Sequence, residues 1–397
     1  MRNKLNFYLM PSVFFACLFL VFCNFGLAQP AKPENARLRK REKIPEERIS
    51  GKTELDDMVR VETNLIVSEV LVLDERGEPV TGLRPNDFIV KEDDKLQQIT
   101  VFSFSSSEVV PRSIILIIDY SGSQLPYIKT SIEAAKLLVD KLPPQDRMAV
   151  VTDDVQLIQD FTGDKSLLKT RLESLKTDAL AGRHGQSRQY SALMKVLNET
   201  AANTSRRPII IFQTDGDELI KLKDALSNGY TVENGAADFR FADVLKAVET
   251  TGATLYSIIP GVRFVGIPQD RVFERAKTEA VNIETAYAAL HEKPFDPKDL
   301  KLTAKYLKSI AAARLRQQSA LTVIARKTSG SAFHLETPDQ AEMIYSEILS
   351  KMNVRYLIGY YPTNQNRDGK RRNISIKLPN YRQYEIRGRK TYIMGKK

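Results

Sequence analysis

Beyond residue 28 this chain has no cysteine, and the whole sequence lacks tryptophan. The only two cysteines, Cys17 and Cys23, lie near the N-terminus. Thiolate metal sites, cysteine nucleophiles and disulfides are therefore excluded from the rest of the protein. Histidine is also scarce, with 3 in 397 residues, and none of the three has sequence neighbours that indicate a metal ligand or a catalytic base.

The first 28 residues have the pattern of a secretory signal. Two cations precede a nearly unbroken apolar run over residues 7–22, and small residues ending at Ala28 indicate cleavage before Gln29. An uncleaved N-terminal anchor is the alternative, since residues 7–27 are long enough to cross a bilayer. We expect an exported protein, periplasmic or secreted, with no transmembrane segment after cleavage.

The charge balance is basic. Removal of the signal deletes two cations and no acids, so the formal net charge falls from +10 to +8. Much of the excess lies at residues 37–43 and 370–372, which we interpret as solvated, flexible charge. Because aromatic residues that could stack on bases are not interleaved with these cations, we expect no nucleic-acid partner.

Composition divides the rest of the chain into four parts. Residues 29–60 are rich in proline and charge and poor in apolar residues, which predicts a flexible basic linker. Residues 61–108 and 353–397 alternate β-branched and polar positions, which predicts two β-rich segments. The domain between them covers residues 111–352.

Strands and helices alternate within this central domain. Continuous apolar runs at 113–118 and 208–212 indicate strands buried on both faces, as in parallel sheets covered by helices. Further strands, including one at 155–158, separate segments with helical periodicity. We expect an α/β fold with a doubly wound, mostly parallel sheet. Residues 262–319 are charged and have helical spacing, which predicts a helical insertion.

Oxygen-bearing side chains follow both apolar strands. The first strand ends in Asp-Tyr-Ser-Gly-Ser at residues 119–123, and the second in Thr-Asp-Gly-Asp at residues 214–217. Ligands of open α/β sheets bind beyond the carboxyl ends of the strands, so adjacent strands would bring Asp119 and Asp215 together. Carboxylates and hydroxyls are hard ligands, which favour Mg²⁺, Mn²⁺ or Ca²⁺ over zinc.

The pattern Asp-x-Ser-x-Ser after an apolar strand resembles the metal-ion-dependent adhesion site of von Willebrand factor type A domains. The resemblance implies that Asp119 acts through a bound water. It also implies that Ser121 and Ser123 bind the ion directly and that Asp215, from a third loop, completes the site.

The second loop departs from the family pattern. The family has Gly-Gly-Thr where residues 185–187 are Gly-Gln-Ser, so Ser187 would supply the hydroxyl of the usual threonine. The resemblance implies one Mg²⁺, Mn²⁺ or Ca²⁺ ion held by the three loops. Four other carboxylates lie in or near these loops. They could add negative charge around the ion, but we interpret them as solvated surface groups: Asp153, Asp154, Asp217 and Glu218.

The order of segments extends the resemblance. A β unit, a type A domain and a tail with Tyr-Leu-Ile-Gly-Tyr-Tyr-Pro at 356–362 resemble the exported VWFA-related Acidobacterial domain family. Membership implies fold and location but no reaction. Since the termini of type A domains lie close together, residues 61–108 and 354–394 could pair into one composite β domain, with separate β modules as the alternative.

Three functional hypotheses follow. The resemblance implies metal-dependent protein recognition or adhesion, in which an acidic side chain of a protein partner fills an open position on the ion. A structural scaffold with a metal-free site is the second hypothesis, and a metal-assisted hydrolase is the third. No Gly-x-Ser-x-Gly elbow is present, and residues 163–166 lack the glycine and the Gly-Lys pair of a phosphate loop. We therefore predict a protein that is not an enzyme.

Overall fold

A computed structural model describes residues 65–104, 111–200, 207–226, 236–251, 253–328 and 330–394. The predicted signal peptide and the predicted linker at 29–60 lie outside these residues. Across the described part of the chain, no helix has the length and apolar character needed to cross a membrane.

Strands at both ends of the described chain flank a segment in which strands and helices alternate. The strands are β1 (Ile66–Leu73), β2 (Ile89–Glu92), β3 (Lys95–Gln97), β4 (Ile99–Phe104), β5 (Arg112–Ile118), β6 (Arg147–Thr152), β7 (Leu157–Thr162), β8 (Arg207–Gln213), β9 (Thr254–Pro260), β10 (Ala332–Leu335), β11 (Tyr356–Tyr360), β12 (Arg371–Lys377), β13 (Glu385–Gly388) and β14 (Thr391–Ile393). The helices are α1 (Ile128–Lys141), α2 (Lys165–Leu180), α3 (Gln189–Lys195), α4 (Lys223–Leu226), α5 (Phe241–Thr251), α6 (Val272–Leu290), α7 (Ala304–Lys327) and α8 (Gln340–Asn353). The alternation from β5 to α8 is the doubly wound pattern that the sequence predicts.

The central sheet has six strands in the order β10-β9-β8-β5-β6-β7. All neighbours are parallel except β7, which is antiparallel to β6. Every residue of β5 and β9 is buried, because helices cover both faces of the sheet. The predicted strand at 155–158 begins later than expected, since Val155 lies in a tight turn with φ 66° and β7 starts at Leu157.

Two apolar cores hold the helices against this sheet. One face packs against α1, α2 and α8 through side chains such as Leu138, Leu172 and Ile348. The other face packs against α3, α5 and α7 through side chains such as Leu193 and Leu321. Burial of each such side chain stabilises the fold by about 1.5–3 kcal/mol. The two layers leave the loops at the carboxyl ends of the strands free to form a site.

The predicted insertion contains α6 and α7, which pack against each other through a small apolar cluster that includes Phe264 and Ala276. Residue 319 does not end this element, because α7 is one continuous helix from Ala304 to Lys327. Its C-terminal half enters the main core, where Leu321 is fully buried. The insertion is thereby rigidly joined to the sheet.

Two antiparallel sheets flank the central domain, in the orders β13-β1-β11-β4 and β14-β12-β2-β3. Both combine strands from the two ends of the chain. Tyr356 joins the ends further, since its hydroxyl accepts a hydrogen bond from the Leu83 amide at 3.1 Å and donates one to the Val80 carbonyl at 3.0 Å. The two β-rich segments therefore form shared sheets rather than separate modules.

Candidate metal centre

The candidate centre lies where β5 and β8 end side by side. Ile118 of β5 pairs with Gln213 of β8, and the Asp119 amide donates to the Gln213 carbonyl at 3.0 Å. The loops that follow bring carboxylate oxygens of Asp119, Asp215 and Asp217 within 4.8 Å of one another. The adjacency expected for Asp119 and Asp215 is thus present, and Asp217 joins them.

The first loop folds around its own aspartate. Asp119 Oδ1 accepts hydrogen bonds from the Ser121 amide at 3.0 Å and from the Ser121 hydroxyl at 2.6 Å. The hydroxyls of Ser121 and Ser123 are 3.2 Å apart. Ser121 therefore contacts the Asp119 carboxylate directly, and Ser123 lies next to Ser121 on the short helical turn that begins at Gly122.

The third loop is shaped by Gly216, which has φ 74° and so occupies the left-handed region that favours glycine. This turn lets the Asp217 amide donate to Asp215 Oδ1 at 3.2 Å. Thr214, just before the turn, donates its hydroxyl to Asp119 Oδ2 at 2.7 Å. The loop thereby presents two carboxylates and connects them to the first loop.

The second loop is anchored by a buried carboxylate. Asp153 accepts hydrogen bonds from the Ser187 amide at 2.8 Å and from the Tyr120 amide at 3.1 Å. It thus joins the second loop to the first. A Cβ at Gly185 would lie 2.0 Å from Asp153 Oδ1, so a larger residue there would displace this carboxylate. Among the described residues, no hydrogen bond connects the Ser187 hydroxyl with the Asp119 carboxylate. Ser187 stays a predicted ligand.

Gln189, the first residue of α3, follows the second loop and contacts the centre. Sequence reasoning missed this side chain. Its amide nitrogen donates to Asp119 Oδ2 at 2.8 Å and to Asp217 Oδ1 at 2.6 Å, while its oxygen accepts from the Glu218 amide at 3.1 Å. The side chain is fully buried. Its position two residues after Ser187 is the only sequence signal that could have suggested it.

Arg314 also reaches the centre, from α7 in the insertion. One guanidinium nitrogen lies 2.8 Å from Asp215 Oδ2, and another lies 2.8 Å from Glu279 Oε1. The Tyr127 hydroxyl donates to the second oxygen of Glu279 at 2.6 Å. No sequence pattern relates Arg314 to Asp215, because the two residues are 99 positions apart.

Burial and mutual repulsion disfavour the charged forms of these carboxyls. The pKa of Asp119 is raised well above its ordinary value, first by burial and then by Asp153, Asp215 and Asp217. Burial raises the pKa of Asp153 to about 7, and burial followed by Asp215 raises the pKa of Asp217 to about 6.

The prediction that the other carboxylates of these loops are solvated surface groups is wrong for Asp153 and Glu218, which are 0% and 2% exposed. Asp217 is half-buried, and its carboxylate accepts a hydrogen bond from Gln189.

The donor set fits a small, hard dication. Three carboxylates within 4.8 Å carry more negative charge than the single positive charge of Arg314, and the Ser121 and Ser123 hydroxyls lie alongside. Oxygen ligands of this kind are those that Mg²⁺, Mn²⁺ and Ca²⁺ take in proteins. A bound dication would favour the ionised form of each carboxylate and satisfy the buried charge.

Comparison with known proteins agrees with this geometry. The sequence model of the von Willebrand factor type A domain matches residues 114–218, the part that contains all three loops. No curated protein matches the chain.

The solved structures that match this chain share little sequence with it. The von Willebrand factor domain of a type V pilus tip protein from Porphyromonas gingivalis is 14% identical, with 62% of this chain and 95% of that chain covered and a TM-score of 0.36. An aerotolerance-related membrane protein from Bacteroides fragilis is 15% identical, with 61% and 100% covered and a TM-score of 0.35. A von Willebrand factor type A protein from Catenulispora acidiphila is 12% identical, with 85% and 73% covered and a TM-score of 0.33. Membership of the narrower Acidobacterial family stays a prediction. The match over residues 114–218, together with the sheet topology, shows that this chain contains a von Willebrand factor type A domain.

Proposed function

We propose that this chain binds one divalent cation at its type A site and uses it to recognise an acidic group of a protein partner. The observation that carries the proposal is the convergence of the Asp119, Asp215 and Asp217 carboxylates within 4.8 Å at the end of the sheet. Burial of so much negative charge is unfavourable without a cation nearby. The neighbouring serine hydroxyls make the set suitable for Mg²⁺ or Mn²⁺.

Recognition follows from the charge and the coordination number of the ion. Ser121 and Ser123 would supply hydroxyl ligands, and Asp215 and Asp217 would supply carboxylates, either directly or through water. A position left open on the ion would take an Asp or Glu carboxylate of the partner. Metal and partner would then bind cooperatively, because each completes the other's ligand set.

The proposal includes export, periplasmic or extracellular, on the basis of the N-terminal signal pattern. The test is the N-terminus of the protein recovered from the exported fraction. A mature chain that starts at Gln29 is expected, whereas recovery of the intact chain in the membrane fraction would favour the anchor.

Calorimetric titration of Mn²⁺ and Mg²⁺ into the purified chain tests the metal site. We expect one bound ion, with binding lost in Asp119→Ala and in Asp215→Ala. Asp160→Asn is the matched control, since it removes an exposed carboxylate from β7 and leaves the loops unchanged. Absence of binding to the unaltered protein, in the presence and absence of acidic partner peptides, would refute the proposal.

One observation favours a second candidate, a scaffold whose site works without metal. Arg314 already forms an ion pair with Asp215 at 2.8 Å, so part of the negative charge is neutralised by the protein itself. Partner binding separates the two candidates. A recognition site loses its partner when a chelator removes the ion, and a scaffold retains it.

A further inference from the structure

The insertion supplies the metal centre with a cation of its own. The Arg314 side chain is 12% exposed and lies 2.8 Å from Asp215 Oδ2. The other oxygen of Asp215 accepts the Asp217 amide at 3.2 Å, so both oxygens already have a donor. A dication bound to Asp215 would share this carboxylate with the Arg314 guanidinium, and the two positive charges would repel each other.

Arg314 is held in this position from its other side. Its second nitrogen lies 2.8 Å from Glu279 Oε1, and the Glu279 side chain is 2% exposed. Glu279 is itself fixed by the Tyr127 hydroxyl at 2.6 Å, which also accepts from the Asn282 amide at 3.2 Å. Because Glu279 retains the guanidinium, Arg314 would keep its place beside the centre when Asp215 turns to an ion.

We propose that Arg314 competes with the metal: it neutralises Asp215 in the metal-free protein and lowers the affinity of the centre for a dication. The inference rests on the proposed function. Because Glu279 holds the guanidinium and the C-terminal half of α7 packs in the main core, Arg314 lowers the affinity of the centre as a fixed part of the site.

The test is Mn²⁺ affinity in Arg314→Gln, measured by calorimetry. We expect the dissociation constant to fall at least about tenfold, since a like charge close to the ion is removed. Lys308→Gln, which removes a cation from the exposed surface of the same helix, should bind as the unaltered protein does. Equal affinity in Arg314→Gln and the unaltered protein would overturn the competition.

Melting curves in EDTA provide the second measurement. Arg314→Gln should lower the melting temperature, because Asp215 and Glu279 lose their partner. Asp215→Asn should restore part of the loss when combined with it. A melting temperature equal to that of Lys308→Gln contradicts the inference, whatever the metal does. If neither the unaltered protein nor any variant binds Mn²⁺, the proposed function and the competition both fail. If the unaltered protein binds Mn²⁺ as tightly as Arg314→Gln does, only the competition fails, so the two failures are distinguishable.

A different observation concerns a cavity of about 430 Å³ remote from the metal centre. Strands β1, β12 and β14 border it together with helices α5 and α7. Its charged lining has two carboxylates, Glu69 and Glu249, and five cations: Arg326, Lys327, Arg371, Arg389 and Lys390. Positive charge therefore exceeds negative charge in this cavity.

Arg389 is the distinctive member of this lining. Its guanidinium donates to two main-chain carbonyls, of Thr391 at 2.9 Å and of Glu249 at 3.0 Å. In the described part of the chain no carboxylate forms an ion pair with it. Glu249 pairs instead with Lys327 at 2.9 Å and with Arg371. Burial lowers the pKa of Arg389, so an anion beside it would stabilise the charged form.

The geometry points to a binding site for a small molecule that carries a phosphate group. Arg389 has guanidinium N–H groups left to donate, and a guanidinium fork matches the oxygens of a phosphate. The surrounding cations add long-range attraction. Apolar lining from Val67, Val248 and Leu357 would contact an organic part of the ligand. This site is independent of the metal centre.

Pyrophosphate and inorganic phosphate are the probes, added at constant ionic strength in thermal melts and in calorimetry. We expect each probe to raise the melting temperature, and this rise should become smaller when the series is repeated at higher ionic strength. The affinity for pyrophosphate should be about tenfold lower in Arg389→Gln. Lys91→Gln, an exposed cation on β2, and Asp215→Asn should respond as the unaltered protein does. Stabilisation no greater than that by matched sodium chloride would overturn the assignment, as would an unchanged response in Arg389→Gln.

Discussion

Asp217→Asn should stabilise the metal-free protein while it weakens metal binding. Burial, and then the nearby Asp215 carboxylate, raise the pKa of Asp217 from 3.8 to about 6. In an unfolded chain the group ionises at its ordinary pKa, so between pH 4 and 6 the folded state binds more protons. Stability from this group is therefore full below pH 4 and lost as pH rises through 6.

The shift gives the magnitude. A difference of about two pKa units corresponds to at most about 3 kcal/mol of folding free energy at pH 7. Asparagine keeps an oxygen that can accept the Gln189 hydrogen bond, which is 2.6 Å long, but carries no charge. We therefore expect about 1–3 kcal/mol of added stability in EDTA at pH 7, or a melting temperature higher by roughly 2–10 °C. The gain should vanish near pH 4.

The assay is a pair of melting curves, one in EDTA and one in millimolar Mn²⁺. Metal stabilises the unaltered protein by binding only its folded state, so the order of the two proteins should reverse when Mn²⁺ is added. Asp160→Asn serves as the control, because Asp160 is exposed on β7. If Asp217→Asn is less stable than the unaltered protein in EDTA at pH 7, the electrostatic reasoning is refuted.

Three other predictions concern the scaffold. Asp146→Ala leaves the Arg112 guanidinium without its carboxylate partner, which lies 2.6 Å away with both side chains almost fully buried. Denaturant titration should show that the free energy of unfolding falls by about 3–5 kcal/mol. A decrease below about 1 kcal/mol would contradict this. Tyr356→Phe removes the two hydrogen bonds of the Tyr356 hydroxyl, to Leu83 and Val80. Unfolding in urea should therefore show a loss of about 1–3 kcal/mol in the free energy of unfolding, and an unchanged value would contradict this. Burial lowers the pKa of His334 to about 4, so the unfolded state binds more protons between pH 4 and 6.5. The free energy of unfolding should fall on acidification through that window, and it should fall less steeply in His334→Gln. Parallel pH profiles of the two proteins would contradict the lowered pKa of His334.

The sequence alone determined the central fold and the place of the site. A parallel strand covered by helices on both faces is apolar throughout, so the runs before Asp119 and Thr214 could be read directly as buried strands. The structure shows that the two strands are neighbours. Their carboxyl ends then brought Asp119 and Asp215 to one edge of the sheet, as the structure has them. The hydroxyls of Ser121 and Ser123 followed from their position in the same loop.

Local features marked the limits of this reasoning. Val155 has the β-branched side chain typical of strands, yet it lies in a turn with φ 66°. A hairpin closes there through the hydrogen bond from the Thr152 amide to the Gln156 carbonyl at 3.0 Å. Asp153 has a carboxylate typical of a surface, yet it is 0% exposed, because amides of two separate loops donate to it. In both cases tertiary contacts outweigh the preference of the residue type.

Only the tertiary structure decided the charge balance of the centre. Gln189, at the start of α3, donates hydrogen bonds to two aspartates. Arg314 contacts Asp215 from a helix although the two residues are 99 positions apart in the chain. Periodicity reports which side of an element is buried, but it does not report which polar side chains meet once distant elements pack. The sequence thus determined where oxygen ligands gather, whereas packing of the insertion determined which cation already lies beside them.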